Sequence, residues 1–230
     1  MVNNILYQES VRKETENRIA EKNQRDYELV DELRKELRDQ LGVESSCLTD
    51  LTYHKIPDDR CIPVLVKYIP LFQNTGIALS LVQQQFWRKH NQECSSFLET
   101  WYLELRKTGA LTNVAENTLD NAFVKIGDKN KIPFYLELIK ETDRFLLVMV
   151  MLAKWKVKEA KPVIINRLKR DKIKTAAIRA LGYYEDKTML PLLEKYLASE
   201  YPGVRQEAEK VIKKLLTLSV EVKSEISEDD

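Results

Sequence analysis

The sequence predicts an all-α chain, a solenoid of about five two-helix repeats opened by a capping helix. Three observations carry that prediction. Pro133, Pro162 and Pro191 stand 29 and 29 residues apart, and each opens a similar apolar run. Gly and Pro number only 6 and 7 in 230 residues while charged residues make up 32%, a composition that suits long water-facing helices better than a turn-rich β fold. Apolar residues recur at three- and four-residue steps through much of the chain, which is the spacing of one helical face.

Residues 1–57 are read as a charged N-terminal helix and capping region. Glu9 to Leu41 is dense in both signs of charge, and Tyr27, Val30, Leu33, Leu37 and Leu41 form a stripe. Residues 9–26 have a poorer one, built on Val11 and Ile19. A coiled-coil or dimerisation arm is the sharper alternative, but the stripe is too short for sustained heptads. Covering the first repeat, which a solenoid needs at its end, is the simpler reading.

Residues 58–216 are read as the repeats. The first proline-led run follows Pro63, as Val64-Leu65-Val66-Lys67-Tyr68-Ile69. From Pro63 to Pro133 is 70 residues, 12 more than two periods, so this half is two units with insertions. Gly76 to Glu93 suits a helix through Ile77, Leu79, Leu81, Val82, Phe86 and Trp87. Cys94 to Lys107 suits another, through Phe97, Trp101, Leu103 and Leu105. Thr108-Gly109 marks a break. Leu111 to Ile126 follows as a second helix through Val114, Leu119, Ala122, Phe123 and Ile126, ending at Gly127.

The second half is more regular. Phe134-Tyr135-Leu136 follows Pro133, Val163-Ile164-Ile165 follows Pro162, and Leu192-Leu193 follows Pro191. Proline is tolerated in a first helical turn because its missing N–H would be unpaired there anyway. An Asp five residues earlier, at Asp58, Asp128 and Asp186, can cap or turn the chain ahead of the helix; Val157 replaces it in the remaining unit. Each proline-led helix is followed by a second one. Ile173 to Tyr184 places Ile173, Ala176, Ala177, Ala180, Leu181 and Tyr184 on one side, and its small residues allow close helix approach. Val204 to Leu215 repeats the arrangement with Val204, Ala208, Val211, Ile212 and Leu215. Arg144 to Trp155 is apolar nearly throughout, which predicts burial on most sides. Residues 217–230 read as an acidic flexible tail.

Two segments carry a family resemblance: Tyr201-Pro202-Gly203-Val204-Arg205-Gln206-Glu207-Ala208 and Ala176-Ala177-Ile178-Arg179-Ala180-Leu181-Gly182. With the proline-led first helices they resemble HEAT repeats of the short, phycobilisome-lyase-like type, over residues 128–216 and more loosely over 58–90. The resemblance implies a right-handed α–α superhelix of HEAT or armadillo type, with second helices lining a concave surface. On that surface it places Arg144, Lys174, Arg179, Tyr183 and Arg205 as candidate partner-binding residues. Several arginines on one ridge suit bidentate contact with carboxylate or phosphate. Arg205, at the start of a second helix, could equally tie one repeat to the next.

Composition narrows the function classes. The formal net charge is +1, so the whole molecule is no electrostatic magnet for nucleic acid or an anionic membrane. One window departs from that balance. Lys154, Lys156, Lys158, Lys161, Arg167, Lys169, Arg170, Lys172, Lys174 and Arg179 face only Glu159 and Asp171, a local net of +8. This is either a patch for phosphate or acidic protein or a set of solvated turns. His54 and His90 are the only histidines; His90 with Cys94 offers two metal ligands where a structural zinc site needs four. No phosphate-loop, dinucleotide, metalloprotease or serine-hydrolase motif occurs. Cys47, Cys61 and Cys94 form no CxxC pair and read as reduced thiols. A polar N-terminus and the lack of a long apolar run point to a cytoplasmic protein.

The expectation is therefore a non-catalytic scaffold without cofactor or metal, binding another protein through its concave face. The alternative is a nucleic-acid-binding protein related to the HEAT-like alkylpurine DNA glycosylases, using residues 154–179 with Trp155 and Tyr183 exposed. Such enzymes need a basic groove with an acidic residue in its middle, which a total of +1 and an acidic tail disfavour. A lyase activity is suggested by the repeat type alone, with no residues to carry it.

Overall fold

The prolines that mark the repeat sit in the first turn of a helix. A computed structural model describes residues 2–42, 60–73, 75–85 and 92–224. Its helices are α1 (Val2–Leu41), α2 (Cys61–Tyr68), α3 (Thr75–Gln85), α4 (Gln92–Lys107), α5 (Asn113–Ile126), α6 (Ile132–Glu141), α7 (Leu146–Lys154), α8 (Ala160–Arg167), α9 (Lys174–Leu181), α10 (Leu190–Glu194) and α11 (Pro202–Ser224). No strand occurs among the described residues. Pro63, Pro133, Pro162 and Pro191 fall at the second or third position of α2, α6, α8 and α10. The chain divides into two compact units, Met1–Ile126 and Gly127–Asp230.

In the first unit α1 packs on α2, α2 on α4, and α5 on both α3 and α4. The buried stripe of α1 is Asp26, Leu29, Val30, Leu33 and Leu37, not the one expected. Tyr27 is 69% exposed and Leu41 half-buried. Each three-residue step turns about 300°, so a run of such steps drifts off the face, and Leu29 takes the place given to Tyr27. Polar ties fix the register of α1. The buried Asp26 carboxylate accepts from the Gln73 N–H at 2.8 Å, and Glu36 Oε2 accepts from Lys67 Nζ at 2.6 Å and Tyr68 OH at 2.8 Å. Similar one-residue corrections apply further on. Leu98 and Tyr102, rather than exposed Leu103, join Trp101 in the core, and Ala115 is buried where Val114 is 65% exposed.

In the second unit the 29-residue period is written in the backbone. Gly127, Lys156 and Glu185 lie 29 residues apart and adopt left-handed φ values of 61°, 56° and 58°. Gly127 and Lys156 follow closely on the ends of α5 and α7 in the manner of a C-terminal cap, and Glu185 ends the turns that follow α9. After Lys156 the Val157 N–H returns to the Leu152 carbonyl at 3.0 Å. The expected aspartates then turn the chain. Asp128 accepts from the Asn130 N–H at 3.0 Å, and Asp186 accepts from the Thr188 N–H at 2.9 Å and its hydroxyl at 2.7 Å. Each caps a single 3-10 turn that feeds α6 or α10. The Val157 side chain has no acceptor and is buried instead; Asp58 lies outside the described residues.

The first helix α6 packs on α8, and the second helices pack in sequence, α7 on α9 and α9 on α11. Small side chains set that spacing. Ala177 and Ala180 are fully buried, while Gly182 meets Val211 so closely that an added Cβ would lie 2.9 Å from both valine methyls. α7 is buried on most sides through Val148, Met149, Met151, Leu152 and Ala153, but Leu147 is 42% exposed. Cys61 and Cys94 are buried, and Cys47 lies outside the described residues. No described helix is long and apolar enough to cross a membrane.

The close approach at Gly182 has an opposite-signed control. Gly203, at the start of α11, would meet nothing within 4 Å. Gly182→Ala is expected to destabilise by about 1–3 kcal/mol through overpacking, and Gly203→Ala to stabilise by about 0.5–1 kcal/mol. Urea unfolding of the two variants measures both; a neutral Gly182→Ala would contradict the packing of α9 on α11.

Candidate functional site

The repeat that spaces these helices also places acidic side chains one period away from basic ones. Lys156 Nζ lies 2.5 Å from Glu185 Oε2, 29 residues on. Arg179 grips Glu207 with two prongs, Nε to Oε1 at 3.0 Å and Nη2 to Oε2 at 2.9 Å. Lys161 pairs with Asp186, and Arg167 and Arg170 share Asp143. Lys174 pairs with Asp171 at 2.7 Å. Four of these acids, Asp143, Glu185, Asp186 and Glu207, lie outside the 154–179 window, and they bring its excess from +8 to +4. Lys154, Lys158, Lys169 and Lys172 form no ion pair among the described residues.

Arg167 is the sharpest departure from a surface patch. It is 4% exposed, and its guanidinium donates to the Thr142 carbonyl at 2.9 Å and to that of Ile139. Those carbonyls close α6, where a cation complements the helix end. Burial pulls the Arg167 pKa down from its ordinary value, and the neighbouring Arg170 adds to the effect.

The five predicted site residues part company. Arg144 is exposed just ahead of α7, its N–H on Thr142 Oγ1 at 3.2 Å. Lys174 opens α9 half-buried, between Asp171 and the Tyr196 ring at 5.6 Å, and the Asp171 hydrogen bond raises its pKa. Arg205 bends back onto the carbonyls of Ser199 at 2.7 Å and Glu200 at 3.2 Å, bracing the approach to its own helix. Arg179 and Tyr183 do come together. The Glu207 hydrogen bonds raise the Arg179 pKa, with Tyr183 contributing, while Arg179 lowers that of Glu207. Trp155, expected to be exposed, is half-buried against Tyr135, with ring centroids 6.4 Å apart.

Around Tyr183 a cluster forms from three successive second helices. Its half-buried ring has Lys154 Nζ at 5.2 Å, from the end of α7, and Lys214 Nζ at 5.3 Å, from α11. Lys214 also donates to the Gly182 carbonyl at 3.2 Å and lies 3.5 Å from Glu185 Oε1. Glu185 thus stands between Lys156 and Lys214, which hold its pKa below the usual carboxylate value, Lys156 most strongly. Glu185, Glu207 and Lys214 escape a sequence reading confined to the basic window. The available signal is an acidic residue about one period beyond a basic one.

This arrangement can hold an anion. The neighbouring Tyr184 hydroxyl donates to the Val157 carbonyl at 2.6 Å and is pushed up to about 12 by burial and by Glu159. His54 and His90 lie outside the described residues, and no group of three potential metal ligands forms within them. Compared with protein-family models, curated proteins and solved structures, the chain matches none of them.

Acid titration tests the cross-repeat pairing. Lys161, then the Thr188 hydroxyl and amide, hold the Asp186 pKa down from 3.8 to about 2. A group whose pKa is depressed on folding adds stability above its unfolded pKa and loses it as pH falls through the folded one. The Asp186 contribution is therefore complete above about pH 5 and declines from there to about pH 2. In urea unfolding across that interval, Asp186→Asn should flatten the acid limb; an unchanged slope would count against the pairing.

Proposed function

We propose that the chain is a non-catalytic, HEAT-like helical scaffold, and that it binds another protein through the exposed side of second helices α7, α9 and α11. The observation that carries this reading is the row Lys154–Tyr183–Lys214, one side chain from each of three consecutive repeats around a half-buried ring. An aromatic with one wet edge and flanking cations is the kind of anchor that protein interfaces use. Leu147 adds exposed apolar surface on α7. The repeat segments around Pro202 and Ala176 support a superhelix whose second helices form a continuous face.

The charge pairing favours a protein partner over nucleic acid. Binding to a phosphate backbone draws its affinity from many cations released to neutralise it. Here Arg167 is buried, while Lys161, Arg170 and Arg179 are committed to carboxylates of neighbouring repeats.

The test is a photo-crosslinking amino acid placed at Leu147, on the second-helix face, or at Lys195, exposed after α10, in cells that make the protein. A discrete protein adduct from Leu147 and none from Lys195 is expected. Equal labelling from both positions, or nucleic acid as the adduct, would overturn the reading.

A further inference from the structure

We propose that the Lys154–Tyr183–Lys214 cluster receives an acidic segment of the partner, with a carboxylate at Lys154 and a neighbouring apolar side chain against Leu147. The inference rests on the second-helix reading above and names the chemistry of what that face binds.

The first argument is local charge. Lys154, Lys156 and Lys214 gather around Tyr183 and Glu185, so three ammonium groups face a single carboxylate. Arg179 and Glu207 alongside balance each other. Glu185 serves Lys156 and Lys214, which leaves a net of two positive charges here, with Lys154 the ammonium that meets no carboxylate among the described residues. That ammonium is exposed and meets only the Tyr183 ring among the described residues. An ammonium has three donors, and a ring face satisfies its charge without accepting all of them. An incoming carboxylate would gain charge-assisted hydrogen bonds there and relieve the repulsion between like charges.

The second argument is spacing. Leu147 and Lys154 are seven residues apart on α7, two turns along one side and about 10 Å. Three residues of an extended peptide span the same distance, at about 3.3 Å each. Val150, between them, is half-buried, so the surface runs from apolar at Leu147 to cationic at Lys154. An apolar residue three positions from an acidic one fits it. A nucleic-acid backbone would find a single uncommitted cation here and apolar surface where its next phosphate would fall.

Fluorescence anisotropy at low salt tests this with three labelled probes: a peptide carrying leucine three positions from a glutamate pair, the same peptide with glutamines, and a short DNA duplex. The glutamate peptide should bind saturably and the glutamine peptide at least about tenfold more weakly, as expected when a charge-assisted contact is lost. Lys154→Glu should weaken the glutamate peptide at least about tenfold, while Lys169→Glu, the same charge change on another exposed lysine, should change it less than about twofold. Leu147→Asp should also weaken it, and circular dichroism should show native helicity in every variant. No saturable peptide binding, equal effects of the two lysine reversals, or duplex binding with the same dependence on Lys154 would overturn the proposal. If the peptide fails while the Leu147 crosslink to a protein persists, the scaffold reading stands and the acidic anchor alone falls.

Discussion

A pair of short helices cannot bury its own apolar faces, so each repeat between residues 127 and 224 is completed by the next. The strongest polar contacts there obey the same constraint. Arg167 reaches back 28 and 25 residues to the end of α6, Tyr184 reaches back 27 to Val157, and Lys156 and Arg179 reach forward 29 and 28 to Glu185 and Glu207. All of these are one period, give or take the length of a turn. α7, α9 and α11 pack on one another in order, and the polar ties fix the register in which those helices meet. Gly182 against Val211 shows how tight that register is.

The same constraint decides how charge is displayed. A basic side chain at the edge of one repeat finds an acidic one at the edge of the next, and the surface that results is much less cationic than the residues in sequence order. Part of what remains lies at Lys154, which shares the Tyr183 ring with Lys214 where three repeats meet around one aromatic side chain. On the proposed reading, such a site takes a partner offering one or two carboxylates rather than one offering a run of phosphates. One number, the period, brings both the braces and the cluster together.

Much of the architecture is legible in the sequence because proline and small residues act locally. Pro133, Pro162 and Pro191 start helices for reasons internal to a single turn, and Ala177 and Ala180 report close packing by their size. The face of each helix is less legible. Leu29 replaces Tyr27, and Ala115 replaces Val114, because a neighbour one position along the helix is only about 100° away and tertiary packing chooses between them. The site is least legible. Arg179 and Tyr183 are singled out together, but the side chains they meet, Glu207, Lys154 and Lys214, are recruited by the fold across 25 to 35 residues. Arg205, read as a partner-binding residue or as a link between repeats, donates to the carbonyls of the loop ahead of its own helix. A window that counts charge along the chain misses the carboxylates that Arg167, Arg170 and Arg179 meet in space.

The Arg179–Glu207 pair puts the cross-repeat bracing to its most direct test, since it joins α9 to α11 with two well-formed hydrogen bonds. Arg179→Glu, Glu207→Arg and the double exchange, each unfolded in urea, complete a charge-swap cycle. Each single reversal should lower stability, and the double exchange should recover a coupling of about 1 kcal/mol, modest because the Arg179 side chain is half in water. Strictly additive losses, with no recovery in the exchanged protein, would contradict the account.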